Sequence, residues 1–298
     1  MDKNYENILI MSLADNIVFP FIRWQAETVK RHGGNCKYII WDIGLEKQQV
    51  KELSEFAEVK DFKEINDIFQ KHIAPISNEK LRKGGARSVI TKASLKKPFC
   101  LRQCVLEGYE NILYLDADAF LNKNPFEVFK ASFNICVTFK GPRQSPPDLI
   151  NRPEKLRFKL LNAGVQLFKG KKHKLLTYFN EFIDNYILER PEISDQGNLN
   201  RLIDRCEDWD WTRPRGYHKL LINEVKLNVF IIDCERYNRF VNNGGVPPFT
   251  IVGHAKGQKK RTFEINTWQD VEKWLTERNS VKRKEKKKSP EKVVTLLV

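Results

Sequence analysis

Ile112-Leu113-Tyr114-Leu115-Asp116-Ala117-Asp118 carries a four-residue apolar run directly into two carboxylates separated by one residue. A run of that length, bounded by polar residues, reads as a buried central strand. Side chains at i and i+2 of a strand share a face, so Asp116 and Asp118 are expected on one side of the strand end. Two oxygen ligands held there suit a hard divalent cation with positions left for phosphate oxygens. Taken alone, the tripeptide is equally an ordinary polar turn.

Outward from that stretch, strands and helices alternate. Residues 7–13 (NILIMSL) form a first apolar strand that ends in Ala14-Asp15-Asn16, and residues 21–31 have helical spacing. Residues 38–41 (YIIW) form a second strand closed by Asp42-Ile43-Gly44, and a charged amphipathic helix is expected over 46–56. Strand, helix, strand, helix implies a parallel sheet with crossover connections. Pro98 is read as opening a helix that runs through Leu106, with Gly108 near its end. Further strands are expected at 133–139, 164–168, 229–232 and 250–252, with a helix over 175–188. No internal repeat and no linker is evident before residue 280.

A chain of 298 residues can hold one large α/β domain or two smaller ones. Hydrophobic residues at 41%, with 19 Phe and 6 Trp, exclude a disordered chain. The N-terminus lacks the apolar core of a signal peptide, and no apolar run approaches the roughly 20 residues of a membrane span. The six cysteines (36, 100, 104, 136, 206 and 234) show no paired zinc spacing and read as reduced thiols. A cytoplasmic protein without a transmembrane segment is therefore expected.

A formal charge of +14 raises nucleic acid, an anionic membrane or a polyphosphate ligand as partners. Much of the excess lies in residues 281–292 (VKRKEKKKSPEK), which read as a basic, solvated tail over 281–298. That tail lacks the interleaved aromatics of a nucleic-acid binder, so a peripheral contact with anionic membrane is the better expectation for it.

Four motifs in order then carry a resemblance. LYLDAD with Asn124-Pro125-Phe126 and Phe129 resembles the DxD region of GT-A fold glycosyltransferases that use nucleotide-diphosphate sugars, especially the retaining family 8 enzymes. Leu161-Asn162-Ala163-Gly164-Val165 is similar to the family's FN-(A/S)-GV motif. Ser194-Asp195-Gln196, followed by Leu199-Asn200, resembles its DQ-x-x-(L)N signature; by itself Ser194-Asp195 also reads as a helix N-cap. His254-Ala255-Lys256-Gly257-Gln258-Lys259-Lys260 matches the closing H-x-x-G-x-x-K, although the family's Phe after the His is Ala255 here and its Lys-Pro-Trp ending is Lys260-Arg261-Thr262. The motifs span residues 5–265.

What the resemblance implies is a single α/β domain of GT-A type over 1–280, a mostly parallel Rossmann-like mixed sheet flanked by helices. A nucleotide-binding half would run to about residue 118 and an acceptor half from about 140. Asp116, Asp118 and His254 would hold Mn²⁺ or Mg²⁺. Ala14, Asp15, Lys97, Asp116, Gly164, Gly257 and Lys260 would bind the donor, a UDP-sugar by resemblance. Asn162, Asp195 and Gln196 would orient the sugar and the acceptor hydroxyl of a glycan or lipid-linked acceptor. Transfer of a hexose or pentose would proceed with retention; an inverting enzyme would instead use Asp195 as general base.

Overall fold

The computed structural model describes residues 5–73, 88–139, 161–187, 195–209, 214–240, 248–254, 267, 269–271 and 273. Every side chain of β1 (Leu9–Ala14) is buried, and alternation divides them between two cores. Leu9, Met11 and Leu13 join one core; Ile10 and Ala14 join the other. β2 (Lys37–Asp42) repeats the division, Ile39 and Trp41 against Tyr38 and Ile40. A polar edge strand, β3 (Glu58–Asp61), lies beside it, and β4 (Asn111–Leu115) sends Ile112 and Tyr114 one way and Leu113 and Leu115 the other. Strands buried on both faces require a layer on each side.

Those layers are amphipathic helices. α1 (Phe19–His32), with a proline in its first turn and Lys30, Arg31 and His32 in its last, packs Ile22, Ala26 and Val29 into the second core. α2 (Lys47–Leu53) follows β2, with Gln49 and Glu46 forming a reciprocal capping box. On the opposite face lie α3 (Lys63–Ile73), α4 (Ser88–Leu106), α5 (Lys172–Phe182) and α6 (Asp195–Ile203), through side chains such as Ile65, Phe99, Phe179 and Leu202.

The main sheet adds β6 (Ile135–Phe139), β7 (Leu161–Lys169), β8 (Gly216–Ile222) and β9 (Val225–Asp233), in the order β3-β2-β1-β4-β7-β6-β9-β8. Four of its pairings are parallel and three, those of β4–β7, β7–β6 and β9–β8, are antiparallel. A three-stranded sheet of β10 (Arg239–Phe240), β11 (Val252–His254) and β5 (Ala119–Leu121) stands against it. The expected mixed, mostly parallel α/β sheet flanked by helices is present. After β1 the chain builds outward through β2 and β3 and then returns to β4 on the other side. The strand order therefore reverses between β1 and β4, and in open α/β sheets ligands bind outside the carboxyl ends of strands at such a point.

Two local expectations change. Pro98 does not open α4 but sits inside it. The missing N–H and the ring clash cost about 3 kcal/mol, but Leu95, Phe99, Cys100, Leu101, Cys104 and Val105 on the flanking turns are all buried. At roughly 1.5–3 kcal/mol for a large apolar side chain, that burial outweighs the loss. Second, β4 stops at Leu115, so Asp116 and Asp118 lie in a turn rather than on the strand. The basic tail, Gly257, Lys260 and Ser194 lie outside the described residues. Among the described residues, no helix is long and apolar enough to cross a membrane.

Candidate functional site

The turn that carries the two carboxylates is held from below by Gln25, a buried polar residue on α1. Its amide nitrogen donates to the carbonyls of Asp116 (2.7 Å) and Ala119 (2.8 Å). Its carbonyl oxygen accepts from the Ser12 and Tyr38 hydroxyls, both at 2.6 Å. The turn is also tied laterally, since the Asp116 N–H donates to the Gly164 carbonyl at 2.8 Å. The sequence reading missed Gln25. Its signal was there: it follows Phe21 and Ile22 and precedes Val29 at helical spacing, so a polar side chain stood on the face that had to be buried.

β5 starts immediately after Asp118 and pairs antiparallel with β11, with His254 opposite Ala119. That ladder carries an imidazole across 136 residues of sequence to lie 2.7 Å, Nε2 to Oδ1, from Asp118. The same nitrogen is 3.8 Å from Asp116 Oδ2. One ligand atom from each of Asp116, Asp118 and His254 falls within 4.8 Å of the others. Donors about 2.0–2.2 Å from one small cation stand about 3 Å apart, so modest adjustment closes the set. His254 is wholly buried while both carboxylates are partly exposed, which leaves the outer side of the site open to a ligand.

Gly164 explains how three side chains fit. A Cβ there would lie 2.3 Å from His254 Cε1 and 2.8 Å from Asp116 Oδ2. The bare backbone is the wall against which the imidazole rests. It belongs to a register shift between β6 and β7, where Val137 faces Gln166 but Thr138 faces Asn162, so that Ala163, Gly164 and Val165 bow out. The Asn162 side chain secures the bow by accepting the Gly164 N–H at 3.0 Å. Asn162 is buried, and the structure gives its side chain to the wall.

A buried ammonium completes the cluster. Lys97 Nζ lies 3.1 Å from Asp116 Oδ1, donates to Asp195 Oδ2 and to the Ala163 carbonyl (3.2 Å), and sits 4.3 Å above the Tyr114 ring. Burial lowers its pKa, but Asp116 and Asp195 more than offset this and hold it above the ordinary lysine value. The Tyr114 hydroxyl donates to Asp116 Oδ1 at 2.8 Å, and burial, followed by the neighbouring aspartates, pushes its own pKa well up. Asp116 thus spends Oδ1 on Lys97 and Tyr114 and turns Oδ2 toward His254. Among the described residues, the Lys97 ammonium stands against three carboxylates, those of Asp116, Asp118 and Asp195. The donor chemistry, two carboxylates and an imidazole, fits a divalent cation.

The remaining expected residues fall nearby. Ala14 ends β1 at the strand-order reversal, and Asp15 accepts from the N–H groups of Ile17 (3.0 Å) and Val18 (3.1 Å), shaping the entry to α1. Asp195 and Gln196 open α6, which is pinned to β7 by Asn200; its side chain accepts the Leu161 N–H at 3.1 Å and donates to the Gln196 carbonyl at 2.6 Å.

A scan against protein-family models and a search of curated proteins found no match. Solved structures do match in fold. The galactosyltransferase LgtC, crystallised with donor and acceptor sugar analogs, aligns over 92% of this chain and 95% of its own at a TM-score of 0.51 and 14% identity. The apo bifunctional glycosyltransferase WbbM aligns over 90% of this chain and 51% of its own, at a TM-score of 0.52 and 12% identity. The fold is the GT-A fold of these glycosyltransferases.

Proposed function

We propose that this protein is a metal-dependent glycosyltransferase of the retaining family 8 type, moving a hexose or pentose from a UDP-sugar to a hydroxyl of a glycan or lipid-linked acceptor. The observation that carries the reading is the convergence of Asp116, Asp118 and His254 beside the Lys97–Asp195 pair, at the carboxyl ends of β1 and β4. Neither the metal cluster nor its position at the strand-order reversal is required by the fold's core, and both suit a nucleotide diphosphate.

A divalent cation held by Asp116, Asp118 and His254 would supply positive charge against the diphosphate. The protein's own groups do the rest. Ala14 and Asp15, at the end of β1, contact the nucleotide. Lys97, fixed in charge by its two aspartates, adds positive charge behind Asp116; the sequence motif assigns the diphosphate to Lys260 and the close backbone approach to Gly257, both outside the described residues. Gly164 keeps the wall low enough for His254 and the donor, and Asn162 acts through the shape it gives that wall. Asp195 and Gln196, at the start of α6, orient the sugar and the acceptor hydroxyl. The bond between the anomeric carbon and the phosphate oxygen breaks as the hydroxyl oxygen bonds to that carbon, and the hydroxyl proton leaves with the diphosphate. Asp195 commits Oδ2 to Lys97 and is a positioning group in this reading, in contrast to the free base an inverting enzyme needs.

Thermal unfolding across a panel of nucleotide sugars, with Mn²⁺ and then with EDTA, tests the proposal. A rise in melting temperature for one donor that EDTA abolishes supports it and names the sugar. No shift with any donor overturns it. Product anomeric configuration by NMR then decides between retention and inversion.

A further inference from the structure

Behind His254 lies a chain of hydrogen bonds whose direction is set at its far end. Thr138 on β6 donates its hydroxyl proton to the backbone carbonyl of Asn162 at 3.3 Å. A carbonyl can only accept, so that proton is committed and the Thr138 oxygen offers a lone pair. The Asn238 side-chain nitrogen donates to it at 3.0 Å. The amide oxygen of Asn238 is then turned toward His254 and lies 2.7 Å from Nδ1. Thr138, Asn162, Asn238 and His254 are each 0–1% exposed, so no bulk water stands in for a wrongly oriented member.

Asn238 cannot swing away. It follows the short helix α7 (Cys234–Tyr237), where its N–H donates to the Cys234 carbonyl at 2.8 Å and its carbonyl accepts the Cys234 thiol at 2.9 Å. Rotating its amide by half a turn would set the amide oxygen against the Thr138 lone pair and an N–H₂ against Nδ1.

We propose that Thr138 and Asn238 are positioning residues for the metal ligand: their one-way chain keeps the proton of His254 on Nδ1 and so reserves Nε2, which faces Asp118 and Asp116, for a divalent cation. The inference rests on the metal-site reading above. Metal-bound histidines gain orientation and basicity from such partners, whose loss weakens binding about 10- to 100-fold. Neither residue belongs to a sequence motif, and neither touches the cation.

The full chain is stripped of metal and titrated with Mn²⁺, with free ion read by electron paramagnetic resonance. Thr138→Val keeps the shape but frees the Asn238 amide to turn, and weakens Mn²⁺ binding about 10- to 100-fold. Thr138→Ser restores the hydroxyl and the wild-type affinity. Asn238→Asp, which can only accept from Nδ1, also keeps it, and serves if the valine variant does not fold. In parallel, long-range ¹H–¹⁵N spectra of metal-free, histidine-labelled protein report the ring protons. Nδ1 of His254 is protonated in wild type and Thr138→Ser, and loses that proton in part of the Thr138→Val population. Wild-type binding with the valine variant at parity, a large loss in Asn238→Asp, or a wild-type Nδ1 without its proton overturns the relay. Wild-type protein that binds no Mn²⁺ overturns the metal site and the relay with it, and the ring-proton spectra tell that failure from the first.

Discussion

Gly164→Ala isolates the steric demand at the centre of the site. The backbone there is not in the left-handed region, so alanine meets no conformational penalty and the conflict is one of space alone. The new methyl carbon would lie 2.3 Å from His254 Cε1 and 2.9 Å from Nδ1, where ordinary contact begins at 3.4 Å. The ring must therefore retreat by about 1 Å, the scale on which close-packed interiors resist. It is held by two 2.7 Å contacts, from Nδ1 to Asn238 and from Nε2 to Asp118, and a shift of that size disturbs both. Overpacking of this kind costs about 1–3 kcal/mol, and metal ligands tolerate errors of only about 0.2 Å. The expected outcome is a folded protein with a lower melting temperature and Mn²⁺ affinity reduced at least about 10-fold. Calorimetric titration with Mn²⁺, beside a thermal melt in EDTA, measures both. A folded alanine variant that binds Mn²⁺ as wild type does would refute the spacing argument.

Asp118→Asn removes one anionic ligand while preserving shape, so metal-dependent turnover should largely vanish with an unchanged circular dichroism spectrum; near-normal turnover means the metal site is wrongly assigned. Gln25→Leu removes the acceptor shared by the Ser12 and Tyr38 hydroxyls and a donor to the Asp116 and Ala119 carbonyls, of which Asp116 keeps the Ala119 N–H, and at about 1–3 kcal/mol for an unmet buried group it should lower the urea midpoint. Lys97→Met leaves the Asp116 and Asp195 carboxylates facing each other without the ammonium and should destabilise by about 3 kcal/mol. Because the aspartates more than offset burial and raise the Lys97 pKa, its contribution should hold from neutral pH to about 10.4 and fade only above that, which denaturation at several pH values checks. Burial pushes the thiols of Cys36, Cys104 and Cys206 up to about 12, so at pH 8 only about one in 10⁴ is thiolate. A thiol-disulfide reagent should stay almost idle with native protein and count all six cysteines in guanidinium.

The parts of the fold that could be read in advance are those where one short stretch carries the whole signal. β1, β2 and β4 are apolar runs because both faces are covered, and the carboxylates follow β4 directly. β3, Glu-Val-Lys-Asp, carries almost no hydrophobic pattern because it is an edge strand, and went unread. β8 hides differently: His218, Leu220 and Ile222 are buried while Tyr217, Lys219 and Leu221 are exposed, so the sequence alternates instead of running apolar. The three side chains that converge, Asp116, Asp118 and His254, were legible from motif order, but their surroundings were not. Gln25, Thr138 and Asn238 act through hydrogen bonds to partners 13 to 100 residues away, and no local spacing announces such partners. Asn162 shows the same limit from the other side: the motif marked it, but not that its amide oxygen accepts the Gly164 N–H.

The β5–β11 ladder has a consequence for the order of assembly. The carboxylates belong to the first half of the chain and the imidazole to its last fifth, 136 residues later. At about 5–20 residues per second of synthesis, Asp118 leaves the ribosome on the order of 10 s before His254. During that interval β1, β2 and β4 can dock, but β5 has no strand to pair with and the two aspartates have no third ligand. A nascent chain is thus unable to bring these three side chains together until residue 254 has been made. Capture of a cation by this cluster would then report that translation has passed residue 254.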